Sequence, residues 1–225
     1  MGRRLLPPGA TAGAGAAAFA WAAPGGALGT NEPVHVTEGV SATAYRSLAR
    51  SVAGDRPAWA GTALEAASEG TLLLLALLLL SVGVCSLRRR DAPGLAGVSL
   101  AAAGTVAAYA LSEGLKLLVD EERPCRAVAG ALAVAPCPAP GDWSFLSNHA
   151  TLAAALAVGV TLVRPRLAAL ALPVAAAAAL LRVLVGVHYP HDVMAGAALG
   201  ASSPLSSGQA GPSTSISPFS VRISA

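Results

Sequence analysis

Three short segments hold the residues of this chain that could do chemistry, and apolar runs separate them. The densest is residues 182–192, which contain an arginine, two histidines and an aspartate. The other two are residues 116–123, with a lysine at one end and an arginine at the other, and Ser147-Asn148-His149. Ionisable side chains are costly in apolar surroundings, so their grouping predicts a functional site.

The cations Lys116, Arg123 and Arg182 suggest that this site binds an anion. Lys116 and Arg123 are about two helical turns apart, although Pro124 indicates that a helix ends near them. Arginine offers a planar fork to phosphate oxygens, and lysine offers a point charge. Each cation alone could instead be a side chain that reaches the membrane interface. The three together favour phosphate binding.

Ser147 precedes an apolar run and is predicted to cap the N-terminus of a helix. The free backbone N–H groups at such a helix start attract anions. His149 falls in the first turn of the same helix, near any anion bound there. A serine cap alone is common, and the added histidine is what makes the segment informative.

His188 and Asp192 lie four positions apart, with Pro190 between them. Because Pro190 disfavours helical dihedrals at Tyr189, we expect His188 to end one helix and Asp192 to begin the next. A carboxylate beside a histidine fixes its tautomer and leaves the other ring nitrogen free to attack. Two histidines with three cations therefore suggest phosphoryl transfer, in which one histidine attacks phosphorus and the other protonates the leaving oxygen.

A metal site is the weaker interpretation of this cluster. His188, His191 and Asp192 lack the spacing of a common zinc site, and the neighbouring cations would oppose a metal ion. His191 has no evident partner in the sequence and is predicted to be a bystander at the rim.

The composition is typical of a helical membrane protein. Of the 225 residues, 54% are hydrophobic and 12% are charged, whereas soluble domains have about 25% charged residues. Apolar runs occupy residues 70–87, 94–118, 149–163, 167–188 and, more briefly, 193–201. Residues 30–69 are mixed and polar, and we expect them to lie outside the membrane. We therefore predict an all-α membrane bundle of about six transmembrane helices, the last one short. The long apolar runs disfavour the alternative, a soluble alanine-rich protein.

Basic clusters predict the orientation of the bundle. Residues 9–29 are either a first crossing, which this topology needs, or a cleaved signal peptide. If every apolar run crosses once, the basic clusters share the cytoplasmic side: residues 3–4, 88–90 and 164–166. The three chemical segments then face outward, where Cys125 and Cys137 could form a disulfide. No basic patch is interleaved with aromatic residues, so we expect no nucleic-acid partner.

The C-terminal segment departs from this pattern. From Ser202 the sequence is rich in serine, glycine and proline, so we expect residues 202–225 to be a disordered tail after a membrane-embedded domain at 1–201. A full crossing needs about 20 apolar residues, and the run 193–201 is shorter. Either a truncation or frameshift replaced the end of this helix, or a short helix precedes a genuine polar tail.

The three segments resemble the signature of the type 2 phosphatidic acid phosphatase superfamily. That signature reads K-x6-R-P, then P-S-G-H, then S-R-x5-H-x3-D. The order, spacing and charged positions agree between residues 116 and 192, where the chain reads Lys116-x6-Arg123-Pro124, Leu146-Ser147-Asn148-His149 and Leu181-Arg182-x5-His188-x3-Asp192. Leu146, Asn148 and Leu181 replace a proline, a glycine and a serine, and none of these changes removes a proton-transfer group.

The resemblance implies a lipid phosphate phosphatase of six crossings with an outward-facing site and no metal or other cofactor. It implies that His188 is the nucleophile, that Asp192 orients it and that His149 is the general acid. The residues that would bind phosphate are Lys116, Arg123, Ser147 and Arg182.

The substrate and the competing functions follow from the same resemblance. The alanine-rich composition and the Ser-Asn-His variant are similar to actinobacterial members that act on polyprenyl phosphates for cell-wall assembly, including decaprenylphosphoryl-phosphoribose and undecaprenyl diphosphate. A glycerolipid phosphate stays open, because the motifs contact the phosphate and not the tail. A non-catalytic protein that binds lipid phosphate, disabled by its altered end, is the alternative from another class. A transporter is disfavoured because the polar residues cluster at one surface.

Overall fold

The computed structural model describes residues 33–53, 59–131 and 133–208. Apart from an isolated bridge between Val34 and Glu121, these ranges contain no strand, so the predicted all-α class is confirmed. A 3₁₀ turn, Pro165–Leu167, precedes the sixth helix. The helices are α1 Gly39–Ala53, α2 Trp59–Arg88, α3 Ala92–Lys116, α4 Pro124–Ala127, α5 Asn148–Val163, α6 Ala168–Leu184 and α7 Pro190–Gly208.

Three helical segments of the described ranges are long and apolar enough to span a membrane: α2, α3 and Pro165–Leu184. Helix α5 is equally apolar in character but shorter. Leu73, Leu77 and Leu80 of α2 are exposed, which suits contact with lipid rather than water. The first crossing predicted at 9–29 lies outside the described residues.

Helix α5 is the centre of the bundle and packs against α2, α3, α6 and α7. Glycines allow α7 to approach the start of α5 very closely. A Cβ at Gly196 would lie 2.6 Å from the Ser147 carbonyl oxygen, and one at Gly200 would lie 2.0 Å from that of Thr151. This packing brings Asp192, at the start of α7, next to the N-terminus of α5.

Helix α2 begins at Trp59 and therefore includes residues 59–69, whose predicted place outside the membrane stays a prediction. Two other predictions, about helix boundaries, were wrong. Helix α7 continues to Gly208, so residues 202–208 are helical rather than disordered, while residues 209–225 lie outside the described ranges. Helix α6 ends at Leu184, so His188 lies in the turn between α6 and α7 and not at a helix end.

That turn is held from several sides. Gly186 has φ +87°, and a Cβ there would lie 2.6 Å from the Cα of Ala133, so the position requires glycine. The Tyr45 hydroxyl of α1 donates to the Gly186 carbonyl oxygen at 3.2 Å, and the Tyr189 hydroxyl donates to the Val36 carbonyl oxygen at 2.7 Å. Helix α1 therefore braces the segment that presents His188.

Candidate active site

The loop between α3 and α5 brings residues 116–123 and the segment Ser147-Asn148-His149 close to residues 182–192. Helix α3 ends at Lys116, and Arg123 directly precedes the short α4. A disulfide joins Cys125 to Cys137, with their Cα atoms 6.0 Å apart. The Val134 N–H donates to the Val185 carbonyl oxygen at 3.1 Å and ties this loop to the turn that carries His188.

His188 is almost completely buried, and both of its ring nitrogens have partners. Nδ1 lies 3.4 Å from Oδ2 of Asp192, and Nε2 lies 3.1 Å from Nη1 of Arg123. An arginine can only donate, so these partners assign the neutral tautomer with the proton on Nδ1 and a lone pair on Nε2. Nε2 is therefore the ring nitrogen with the available lone pair.

Asp192 is fully buried and held by more than His188. Its Oδ2 accepts hydrogen bonds from the Ser144 hydroxyl and, at 2.8 Å, from the Tyr189 N–H. Its own carbonyl oxygen accepts from the Ser147 N–H at 3.2 Å. These contacts fix the carboxylate that orients His188, and they link it to the cap of α5.

Arg123 connects the loop to the nucleophile. Its Nη1 donates to the Val187 carbonyl oxygen at 3.0 Å as well as facing His188. On the other side Nε donates to the backbone oxygen of Asp142, and Nη2 donates to the Asp142 carboxylate, both at 2.8 Å. Lys116 Nζ lies 3.8 Å from the same carboxylate, so Asp142 joins two of the predicted phosphate-binding cations.

Arg182 lies in the last turn of α6, and its Nε is buried without a hydrogen-bond partner among the described residues. Its charge interacts most strongly with that of Arg123 and then with those of Glu69 and Glu65. A buried guanidinium with an unpaired N–H group is a donor that an anionic ligand can satisfy.

The start of α5 has the predicted cap. Ser147 Oγ accepts from the Ala150 N–H at 3.5 Å, so the prediction of an N-cap is confirmed. Asn148, which replaces the glycine of the signature, accepts from the Ser112 hydroxyl at 2.8 Å and donates to Glu113. Asn148 therefore links the start of α5 to the end of α3.

His149 lies in the first turn of α5, as predicted, and has a partner that the sequence did not reveal. Its Nε2 lies 2.7 Å from Oε1 of Glu69 on α2. Glu69 was missed because residues 59–69 were assigned to a polar segment outside the bundle. One signal in the sequence was available: residues 65–69 directly precede the apolar run and can continue the same helix.

His191 has partners that the sequence did not show, and its predicted place as a bystander of the chemistry stays a prediction. Its Nδ1 lies 2.7 Å from the Ser41 hydroxyl of α1, and its ring stacks on that of Tyr189. Its Nε2 lies 3.1 Å from the Glu121 carboxylate and 3.2 Å from Oδ1 of Asp192. Ser41 and Glu121 come from a distant helix and a distant loop, so neighbouring sequence could not reveal them as partners.

One group of described residues has donor atoms close enough to hold a metal ion: Glu121, His191 and Asp192, all within 4.8 Å of one another. The imidazole nitrogen of His191 already faces both carboxylates at distances typical of N–H···O contacts. The cations around His188 also oppose a further positive charge nearby. We therefore treat the group as an ion-paired cluster and assign it no metal.

Burial sets the protonation of the groups at this end of the bundle. It lowers the pKa of His188 to about 3, against the opposing effect of the hydrogen bond to Asp192, so the His188 ring is neutral at neutral pH. Burial together with the Asp192 charge raises the pKa of Glu121 to about 8. Burial alone would raise the pKa of Asp142, but the hydrogen bond and charge of Arg123 and the charge of Lys116 hold it below its usual value.

The arrangement has the parts needed for phosphoryl transfer through a covalent intermediate. A neutral histidine with a free lone pair faces a set of cations, and a second histidine is held at the adjacent helix start. Ser144, Asp142, Glu121 and Glu69 extend the site beyond the residues that the motifs identified.

Comparisons with known proteins agree with this geometry. The PAP2 superfamily matches residues 96–205. The decaprenylphosphoryl-5-phosphoribose phosphatase of Mycobacterium tuberculosis, from two strains, is 39% identical over 151 residues, which cover 65% of this chain and 77% of that protein.

Among solved structures, the chain is similar to a transmembrane PAP2-type phosphatidylglycerolphosphate phosphatase from Bacillus subtilis. The TM-score is 0.60 at 19% identity, and the match covers 95% of this chain and 98% of the other. At that identity the likeness shows a shared fold. With its helical membrane architecture and the match to a 39% identical relative, the chain belongs to the PAP2 superfamily.

Proposed function

We propose that this protein is an integral-membrane phosphatase that hydrolyses a lipid phosphate monoester or diphosphate through a phosphohistidine intermediate on His188. The observation that carries the proposal is the pair of contacts at His188. Asp192 fixes Nδ1, and Nε2 directs its lone pair toward Arg123, where a phosphate would bind. Attack by Nε2 on phosphorus needs this tautomer and a neutral ring.

The cations supply the electrostatic part of catalysis. Arg123, Arg182 and Lys116, with the Ser147 N-terminus of α5, surround the position where the equatorial phosphate oxygens would lie. Fixed donors of this kind stabilise the charge of a phosphoryl-transfer transition state without any rearrangement. His149 would protonate the leaving oxygen and then take a proton from the water that hydrolyses the intermediate. No metal takes part in this mechanism.

A polyprenyl phosphate is the favoured substrate class. The decaprenylphosphoryl-5-phosphoribose phosphatase, a relative at 39% identity, supports it. The site residues would contact only the phosphate of a substrate, so a glycerolipid phosphate is the alternative within the same chemistry. The exposed leucines of α2 suit a substrate whose tail stays in the bilayer.

The topology belongs to the proposal as well. Six crossings with the basic clusters in the cytoplasm would place the site at the extracytoplasmic surface of the cell membrane. The disulfide between Cys125 and Cys137 supports that side, because disulfides persist in oxidising compartments.

Phosphate release by purified protein in detergent or liposomes tests the function. The substrates are decaprenyl phosphate, undecaprenyl diphosphate and phosphatidic acid, each with and without a chelator. We expect release from a polyprenyl substrate that the chelator does not change, and complete loss in His188→Ala. In a second experiment the substrate carries a radiolabelled phosphate group and the reaction is quenched rapidly without acid. The label should remain on the wild-type protein and be absent from His188→Ala.

A well-folded protein that releases phosphate from none of these lipids would favour the non-catalytic, lipid-binding alternative. Release that persists in His188→Ala would contradict the phosphohistidine mechanism while leaving the reaction class intact. Loss of activity with the chelator, restored by a divalent metal, would contradict the metal-free mechanism.

A further inference from the structure

Each of the two histidines in this site contacts a carboxylate, and the second of these contacts lies outside the motifs. His188 pairs with Asp192 within the same turn, whereas His149 pairs with Glu69 from α2 at 2.7 Å. Helix α2 packs against both α5 and α6, and this packing fixes the position of Glu69 relative to His149. The His149 side chain is 22% exposed and that of Glu69 is 61% exposed, so the pair lies at an edge that solvent reaches.

The charges around His149 explain why it needs an anion. A general acid must carry a proton before the reaction begins, so His149 must be an imidazolium. Burial disfavours that positive charge, the charges of Arg182 and Arg123 oppose it further, and Glu69 acts in the opposite direction. Among the described residues, the carboxylate in direct contact with His149 is that of Glu69. A carboxylate at this distance stabilises the charged ring and fixes its orientation.

We infer that Glu69 is a positioning residue that orients His149 and favours its protonated form as the general acid. The inference rests on the proposed phosphatase function. Glu69 holds the Nε2–H of His149, which leaves Nδ1–H as the proton to be transferred. Glu69 touches neither the phosphate nor the leaving group in this mechanism.

The proton balance is as follows. In the first step the His188 Nε2 lone pair forms a bond to phosphorus, the bond from phosphorus to the leaving oxygen breaks, and that oxygen takes the Nδ1 proton of His149. His149 is then neutral, with its Nε2–H still bonded to Glu69. In the second step a water oxygen attacks phosphorus, the P–N bond breaks, and Nδ1 takes the water proton. The imidazolium is restored, and Glu69 keeps its charge throughout.

Glu69→Gln removes the charge and keeps the shape of the side chain. The first-turnover rate is measured on two esters: an alkyl lipid phosphate, whose alkoxide must be protonated, and 4-nitrophenyl phosphate, whose leaving group departs as an anion. We expect the variant to be slower by about 10- to 100-fold on the alkyl ester, since a general acid contributes about 10²- to 10⁴-fold. We expect less than about threefold loss on the aryl ester, where protonation of the leaving group is not needed.

The pH profile on the alkyl ester is a second readout that does not depend on the aryl substrate. Loss of the anionic partner makes His149 release its proton more readily. The basic limb of the first-turnover rate should therefore move to lower pH by about one unit in Glu69→Gln. Glu69→Asp, which keeps the charge, should recover part of the rate and of the pH range.

Glu65→Gln is the matched control. It removes the same charge from the same helix one turn earlier, where it acts on Arg182 through space. Any loss it causes should be equal on the alkyl and aryl esters, and the basic limb should not move. In a His149→Ala background, Glu69→Gln should add no further loss, because its partner is already gone.

Three outcomes would overturn the inference while the wild type remains active. They are an unchanged rate of Glu69→Gln on the alkyl ester, an equal loss on both esters with an unmoved basic limb, and an additional loss in the His149→Ala background. A wild-type protein that cleaves no phosphate ester would instead contradict the proposed function. Thermal unfolding of each variant in detergent separates these results from a failure to fold.

Discussion

At the scale of single residues, the two histidines of the proposed mechanism differ in their burial and in their carboxylate partners. His188 is buried against Arg123, and burial keeps its ring neutral. His149 is less buried and contacts the exposed carboxylate of Glu69, which favours the protonated ring. In the proposed mechanism these different environments suit His188 to attack and His149 to donate a proton.

Asp192→Asn should cost activity through the tautomer of His188. An amide can donate its N–H group to Nδ1 and so favours the tautomer with the proton on Nε2, which cannot attack. We expect the rate of phosphoenzyme formation to fall about 10²- to 10⁴-fold, as it does when a histidine loses its orienting carboxylate. Ser144→Ala removes one hydrogen bond to Asp192 and serves as the milder comparison, with a loss of about tenfold or less. A rate for Asp192→Asn within twofold of the wild type would rule out this role.

Glu121→Gln should change how stability depends on pH. The folded protein holds the Glu121 proton up to about pH 8, whereas the unfolded chain releases it near the ordinary value of 4.5. The folded state therefore binds more protons between these values, and this residue makes stability fall as the pH rises from about 4.5 to about 8. Glutamine does not titrate, so the variant lacks this loss of stability. The melting temperature of the variant minus that of the wild type should therefore increase by a few degrees from pH 5 to pH 8.

The residues around Glu121 influence its pKa and therefore the result of that measurement. His191 and Asp192 face it from α7, and Ser41 of α1 holds the other nitrogen of His191. Differential scanning measurements in detergent at several pH values give the two melting curves. A constant difference between variant and wild type across this range would show that Glu121 is ionised in the folded protein.

At the scale of helices, the site depends on how closely α7 approaches α5. Asp192 begins α7 and Ser147 caps α5, and the Ser147 N–H donates directly to the Asp192 carbonyl oxygen. Gly196 and Gly200 are what permit this distance. Small residues at helix contacts serve the same purpose in membrane proteins generally.

Gly196→Ala should lower the catalytic rate without preventing insertion into the membrane. The added methyl would lie 2.6 Å from the Ser147 carbonyl oxygen and 2.9 Å from Oγ1 of Thr151, so α7 must move away from α5. We expect the phosphatase rate to fall about tenfold or more, since misplacement by about 1 Å can cost about 10²-fold, while the protein still inserts. Gly114→Ala is the matched control, because a Cβ there meets nothing within 4 Å. Equal activity of the two variants would contradict this account.

The sequence predicted the site residues from spacing but not the contacts that organise them. The order and spacing of Lys116, Arg123, His149, His188 and Asp192 depend on local helix and turn geometry, which the pattern of apolar residues and prolines reports. The partners of His149 and His191 depend on which helices pack together, and one sequence carries little information about that. Glu69 was also hidden because small and polar residues at the start of α2 resemble a loop.

At the scale of the whole molecule, charge and redox chemistry agree on one orientation. The Asp91–Arg164 ion pair, at 2.8 Å, links the α2–α3 turn to the end of α5. The disulfide and Arg123 lie in the loop at the opposite end of α3 and α5, next to Lys116 at the end of α3 and Ser147 at the start of α5. Basic residues remain in the cytoplasm, so the end with the arginine cluster 88–90 is expected inside and the catalytic end outside.

Labelling of single cysteines in intact cells tests this orientation. In a Cys85→Ala background, Glu38→Cys reports the end that carries α1, and Arg89→Cys reports the α2–α3 turn; both positions are exposed. A membrane-impermeant maleimide should label Glu38→Cys in intact cells and Arg89→Cys only after permeabilisation. Because α1 contacts His191 through Ser41, labelling at residue 38 also locates the catalytic end. Labelling of Arg89→Cys alone in intact cells would reverse the orientation, and the phosphate would then be removed on the cytoplasmic side of the membrane.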